Sequence, residues 1–199
     1  MDCRSQPLHR IFAQNLHKTM PHSDQLQQLK FPIGPFTAQE NISTSDLDAL
    51  IKAIASAPAE YRKVVKDLSA HDLKKIYRDG SWNVQQLVHH VADIQLLHFF
   101  RMKSALTEAD YKEITLVNVD GWAKTPDGLN SPIADSLDMF EAITKRFVFL
   151  MKSLTETQYE ITYYHPLRKA TLNQKNAIAM TAWHLKHHLA HIRIALASS

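Results

Sequence analysis

Twelve of the 199 residues are histidines, and six stand in two short windows: His89 and His90 in VQQLVHHVAD, and His184, His187, His188 and His191 in AWHLKHHLAHI. Imidazole ligates divalent metals and moves protons near neutral pH, so the question is which rings converge. On a helix turning about 100° per residue, with His184 at zero, His188 falls near +40° and His191 near −20°, while Lys175, Lys186 and Arg193 lie within about 20° of the opposite pole. That charged pole must face water. His184, His188 and His191 therefore face the interior, in line with Ala177, Thr181 and Ala195. In the other window His90 shares its arc with Leu87, Ile94 and Leu97, and His89 is turned about 100° away.

Burying an imidazole without a partner costs about 1 to 3 kcal/mol, so several rings converging on an apolar interior need something to bind. A divalent ion is one solution. Histidines at i and i+4 are one turn apart, and a third from a facing helix completes the three-histidine set of a catalytic metal, with positions left open for water or substrate. His90, His184 and His188 fit this set. The competing reading, core histidines bonded to carbonyls, hydroxyls or water, suits one ring better than three of matched phase on two helices. Leu185 stands where a zincin carries its glutamate, which disfavours zinc-protease chemistry.

The elements that position these rings follow from the apolar periodicity. Leu47, Leu50, Ile51, Ile54, Tyr61, Val64, Val65 and Leu68 predict a first helix over 45–68, kinked or broken at Pro58. Asn83 with Gln86 has capping-box spacing and opens a second helix over 84–107. Residues 109–132 form a long connection suited to covering a site. A third helix takes 133–154, and Asn173 caps a fourth that runs to about 197. Apart from brief pairing near Tyr159 to Tyr164, no strand is expected. The reading is all-α, a four-helix bundle. Matching the heights of His90 and His188 makes the second and fourth helices antiparallel, which favours an up-up-down-down order. Residues 1–30 read as a mobile or loosely docked tail, and 31–199 as the single metal-binding domain.

Composition removes whole classes of function. Only four glycines are present, so neither a dinucleotide-binding G-x-G-x-x-G turn nor a P-loop can be written. Cys3 is the lone cysteine, which rules out an intrachain disulfide and a thiolate zinc knuckle and suits a reducing cytoplasm. Net charge is +3 with signs interspersed, giving no basic stripe for nucleic acid. No run reaches the ~20 apolar residues of a membrane span. A small-molecule substrate is the expected partner, with no role for nucleic acid or membrane.

Several stretches taken together resemble the DinB-like four-helix metalloproteins, and within them the YfiT group of metal-dependent hydrolases. They are Phe31-Pro32-Ile33-Gly34, Tyr77-Arg78-Asp79-Gly80 with Trp82, VQQLVHHVAD, RMKSALTE from Arg101, Trp122-Ala123, His165-Pro166 and AWHLKHHLAHI, spanning about 31 to 192. The resemblance implies one divalent metal, zinc or nickel, on His90, His184 and His188, the set that helical phase selects. It also implies a homodimer and, for some relatives, transfer of a low-molecular-weight thiol such as bacillithiol to electrophiles. The sequence departs from the pattern at Ser81, where a second glycine is usual, and at Ile94-Gln95, where a Ser-His pair often follows the aspartate. The second departure removes a proton-transfer group.

Among the remaining candidates, Asp93 lies about 60° from His90 and suits orienting an imidazole, acting as a base, or a structural ion pair. His191 suits a role behind the ligands. Arg101 lies within about 20° of the His90 direction and could hold an anionic substrate, although pairing with an acid is the commoner fate of such a residue. Trp82, Trp122 and Trp183 read as packing residues. The expected function is a metal-dependent enzyme, hydrolase or thiol transferase, that activates water or a thiol. The alternative is a non-catalytic metal- or ligand-binding bundle.

Overall fold

The computed structural model describes residues 22–197. Its helices are α1 (His22–Lys30), α2 (Thr44–Val65), α3 (Val84–Thr107), α4 (Val119–Trp122), α5 (Pro126–Asn130), α6 (Ile133–Ser153), α7 (Glu156–Tyr159) and α8 (Gln174–Ala197). Between α7 and α8 lies a hairpin of β1 (Thr162–His165) and β2 (Ala170–Asn173), paired antiparallel from Thr162 opposite Asn173 to His165 opposite Ala170. Of the expected tail, residues 1–21 lie outside the described residues, and 22–30 form α1.

Local chemistry sets the ends of the long helices. The Ser43 hydroxyl accepts from the Asp46 amide at the start of α2, and Asn83 with Gln86 forms the expected reciprocal capping box on α3. Asn173 Oδ1 accepts from the Asn176 amide at 2.9 Å and caps α8. Pro58 does not break α2, which runs on to Val65 with the proline ring buried. The long connection 109–132 carries α4 and α5 rather than a bare loop. The hairpin was only glimpsed in the sequence because four-residue strands are too short to show an alternating pattern. Its turn is closed by Lys169, a non-glycine residue at φ 50°.

The four long helices form the bundle the sequence predicts, with α2 and α3 each packed on both α6 and α8. Residue pairings give the directions. His90 meets His184 and His98 meets Thr181, so α3 and α8 are antiparallel, as the histidine heights require. His89 meets Ser136, Gln95 meets Thr144 and Phe99 packs on Phe147, so α3 and α6 run parallel. On α2, Val65 lies in a groove with Ile133 and Leu137, whereas Ala55 lies in one with Val148, so α2 and α6 are antiparallel. The order is therefore up-down-down-up, not up-up-down-down. Histidine height constrained only the second and fourth helices. One crossover, over 108–132, suffices because α2 hands over to α3 at the same end of the bundle.

The core centres on Tyr61, Phe140, Phe147, Ile54, Leu87 and Ile192, all nearly inaccessible. Tyr61 packs edge-on against Phe140 with ring centroids 5.5 Å apart and donates its hydroxyl to the Leu185 carbonyl at 2.7 Å. Tyr61→Phe should lower the unfolding free energy by about 1 kcal/mol, and Tyr61→Ala by about 3 to 5, in urea titrations.

Candidate metal centre and its cavity

The antiparallel pair α3 and α8 brings His90, His184 and His188 together, with one ring nitrogen from each lying within 4.8 Å of the others. His90 and His188 are each only 9% exposed. His90 Nε2 and His184 Nε2 are 3.1 Å apart. Two imidazole nitrogens bound tetrahedrally to one zinc, each at about 2.0 to 2.1 Å, would stand about 3.3 Å apart. The spacing suits a shared ion without rearrangement of the helices.

Hydrogen bonding behind the rings selects tautomers. His191 Nε2 lies 3.1 Å from the Leu29 carbonyl, which can only accept, so His191 carries its proton there. Its Nδ1 is then a lone pair, and His188 Nδ1–H donates to it across 3.4 Å. His188 is left with a free lone pair on Nε2, the form a metal requires. Tyr77 stacks on His191 with centroids 3.9 Å apart and holds that ring in place. His184 has no such support among the described residues, where its buried Nδ1 is unpartnered.

Burial keeps these rings neutral. It pushes His90 down to about 3 and holds His184 and His188 well below the ordinary imidazole value, with the neighbouring histidines adding a smaller effect of the same sign. His187 is lowered to about 4, first by burial and then by His191 and Arg168. It stacks on Trp183 with centroids 4.5 Å apart and groups with His188 and His191 in a second possible cluster. His89 points elsewhere, its Nδ1 2.7 Å from the Ser136 hydroxyl.

The rings of His90, His184 and His188 open onto a cavity of about 440 Å³, walled on the apolar side by Trp82, Ile94, Leu97 and Leu116. Trp82 and Trp183 therefore line the site, and do not serve packing alone. Trp183 is positioned by the bond from its indole N–H to the Gly34 carbonyl, 3.0 Å, where Gly34 adopts φ 78°. Arg101 lines the same cavity, but Asp93 does not. Burial and the neighbouring Asp127 raise the Asp93 carboxyl to about 6.

Three contributors carry no assigned role in the sequence. His98 faces His184 with centroids 5.6 Å apart; Thr181 donates its hydroxyl to the Ala177 carbonyl and so accepts from His98 Nδ1–H at 3.1 Å. His165 and Arg168 enter the cavity from the hairpin. His98 sits about 80° around α3 from His90, outside the arc that His90 shares with Leu87, Ile94 and Leu97. No periodicity signals the hairpin pair.

The sequence profile of the DinB superfamily matches residues 53–192. A protein of Halalkalibacterium halodurans that carries the name of a metal-dependent hydrolase is 38% identical over 167 residues, covering 84% of this chain and 96% of that one. YfiT of Bacillus subtilis, named in the same way, is 32% identical over 164 residues. Its solved structure, described as having an unusual four-helix bundle topology, superposes with a TM-score of 0.80 and covers 83% of this chain and 94% of its own. A mycothiol-dependent maleylpyruvate isomerase shares the fold at 13% identity, with a TM-score of 0.61 over 79% of this chain and 63% of its own.

Proposed function

This chain belongs to the DinB superfamily, and from that premise we propose that it is a metal-dependent enzyme whose ion is held by His90, His184 and His188. The observation that carries the reading is the convergence of three neutral imidazoles, with nitrogens within 4.8 Å, at the wall of a cavity. A divalent ion such as zinc or nickel, when bound, lowers the pKa of coordinated water toward ~7 or deprotonates a coordinated thiol. The chain's own groups do the rest. His191 fixes the tautomer of His188, and Trp82 and Ile94 would give a bound ion an apolar wall. Hydrolysis and transfer of a low-molecular-weight thiol are the two reactions that such a centre serves.

Elemental analysis of protein purified without chelator should give about one equivalent of a transition metal per chain, and failure to take up metal after dialysis against zinc or nickel would overturn the assignment. A panel of small thiols with a halobimane, run beside simple esters and amides, then separates the two reactions: ester cleavage without thiol dependence makes the protein a hydrolase. In the cobalt form, azide or thiol should change the visible spectrum, whereas a closed structural site would not respond.

Substitution behind the ligands has its own expected outcome. His191→Phe keeps a ring against Tyr77 but removes the acceptor for His188 Nδ1–H, and metal affinity should fall about 10- to 100-fold in a competition titration with a chromophoric chelator. The homodimer implied by the family resemblance is proposed as well, and light scattering on a sizing column tests it. Leu96, Phe100 and Phe149, at 47%, 50% and 77% exposure, give α3 and α6 the apolar surface such an interface needs.

A further inference from the structure

We propose that Arg101, Arg168 and His165 form an anion subsite beside the imidazole cluster, so that the ligand of this cavity is a small molecule with a carboxylate or phosphate at one end and its reacting group at the other. The inference rests on reading the cavity as a substrate site. It adds the residues that take up the ligand's charge.

Arg101 is only 6% exposed. A buried guanidinium is normally matched by a carboxylate, because taking a charge out of water costs several kcal/mol. Here its Nη2 donates to the Thr115 carbonyl at 2.9 Å, and its buried Nε has no partner among the described residues. Among the described residues no carboxylate forms an ion pair with it. Arg168, in the hairpin turn, lies over the rings of Phe36 and Trp183 at 5.1 and 5.4 Å and forms no ion pair with a carboxylate among the described residues. His165 is 8% exposed, with its Nδ1 buried and unpartnered. All three line the cavity, and among the described residues no aspartate or glutamate does.

Two arginines lining a partly apolar space that has no carboxylate in its wall among the described residues create a positive field that a dissolved anion completes, and the planar fork of arginine matches carboxylate and phosphate geometry. Arg101 and His90 share one face of α3, and helical side chains lean toward the N-terminal end, so Arg101 leans toward His90. A volume of about 440 Å³ is that of a small-molecule site. One ligand can thus meet both the imidazole cluster and the arginines.

The test uses the cobalt form and the paired probes 6-mercaptohexanoate and 6-mercaptohexanol, with 3-mercaptopropionate and 2-mercaptoethanol as the shorter pair, each titrated by its visible spectrum. In at least one pair the acid should bind ten-fold or more tighter than its alcohol. In Arg101→Gln and Arg168→Gln that ratio should fall below three-fold. Equal affinities of acid and alcohol in both pairs, or a ratio unchanged in the variants, would overturn the subsite. Arg168 lies at the exposed turn, so its variant decides the matter if Arg101→Gln fails to fold. If no thiol alters the spectrum, the open-ion reading falls. Calorimetry of the metal-free protein with glutarate and with inorganic phosphate still decides the subsite: saturable binding lost in Arg168→Gln upholds it and tells a carboxylate head from a phosphate, and no binding of either overturns it.

Discussion

His90→Ala, His184→Ala and His188→Ala should each weaken metal binding by more than about a hundred-fold and abolish metal-dependent turnover, whereas His89→Ala should change affinity by less than about three-fold. The contrast is largest within the pair His89 and His90, neighbours whose rings point to different helices. His90 Nε2 faces His184 Nε2 at 3.1 Å, while His89 bonds to Ser136 on α6. His187→Ala is the sharper control, because His187 can also group with His188 and His191. With the ion on the first cluster, His187→Ala retains the metal. If instead it loses metal while His90→Ala keeps it, the ion belongs to the second cluster and the assignment is wrong. Chelator competition together with circular dichroism separates loss of a ligand from loss of the fold.

Acid should unfold the metal-free protein at an unusually mild pH. Burial lowers His90 and His98 to about 3 and His165 and His187 to about 4, and holds His184 and His188 lower than an ordinary imidazole. In the unfolded chain the same groups titrate near ~6.5, so below that pH the unfolded state binds more protons than the folded one. Their stabilisation is complete above ~6.5 and is lost as pH falls toward the folded values. Each ring costs up to about 1.4 kcal/mol per pH unit across that window. Several together rival the roughly 5 to 15 kcal/mol that holds a domain folded. Thermal melts of chelated protein should show the melting temperature falling steeply between about pH 6.5 and 5, and a flat profile over that range would contradict the burial of these rings as neutral groups. Saturating metal should shift the fall to lower pH, because protons and ion compete for the same nitrogens.

The long helices and the three-ring cluster were legible because their signals are local or periodic. Asn83 and Gln86 mark the start of α3 within one turn, and the phase of His184 and His188 against Lys186 and Arg193 assigns their face. Helix direction was not legible beyond α3 and α8, since nothing in the apolar pattern of 133–153 says whether α6 lies parallel or antiparallel to α3. Arg101 was recognised on the correct face, but its lack of an acidic partner depends on what the 109–132 connection brings near it. That connection brings the carbonyl of Thr115. Arg168 and His165 reach the cavity only because a short hairpin folds back, an arrangement with no periodicity in the sequence. Trp183 read as packing because its bond to Gly34 joins residues 149 positions apart.

The pairing of His90 with His184 spans 94 positions of sequence. An ion bound to both would cross-link nearly half of the chain, acting on the unfolded ensemble as a reversible staple. By loop-closure entropy a tie of that length is worth about 4 to 5 kcal/mol, in the range of a disulfide. A protein with a single cysteine, at position 3, has no covalent route to such a tie. Metal supply would then govern how long the molecule survives proteolysis as well as whether it turns over substrate.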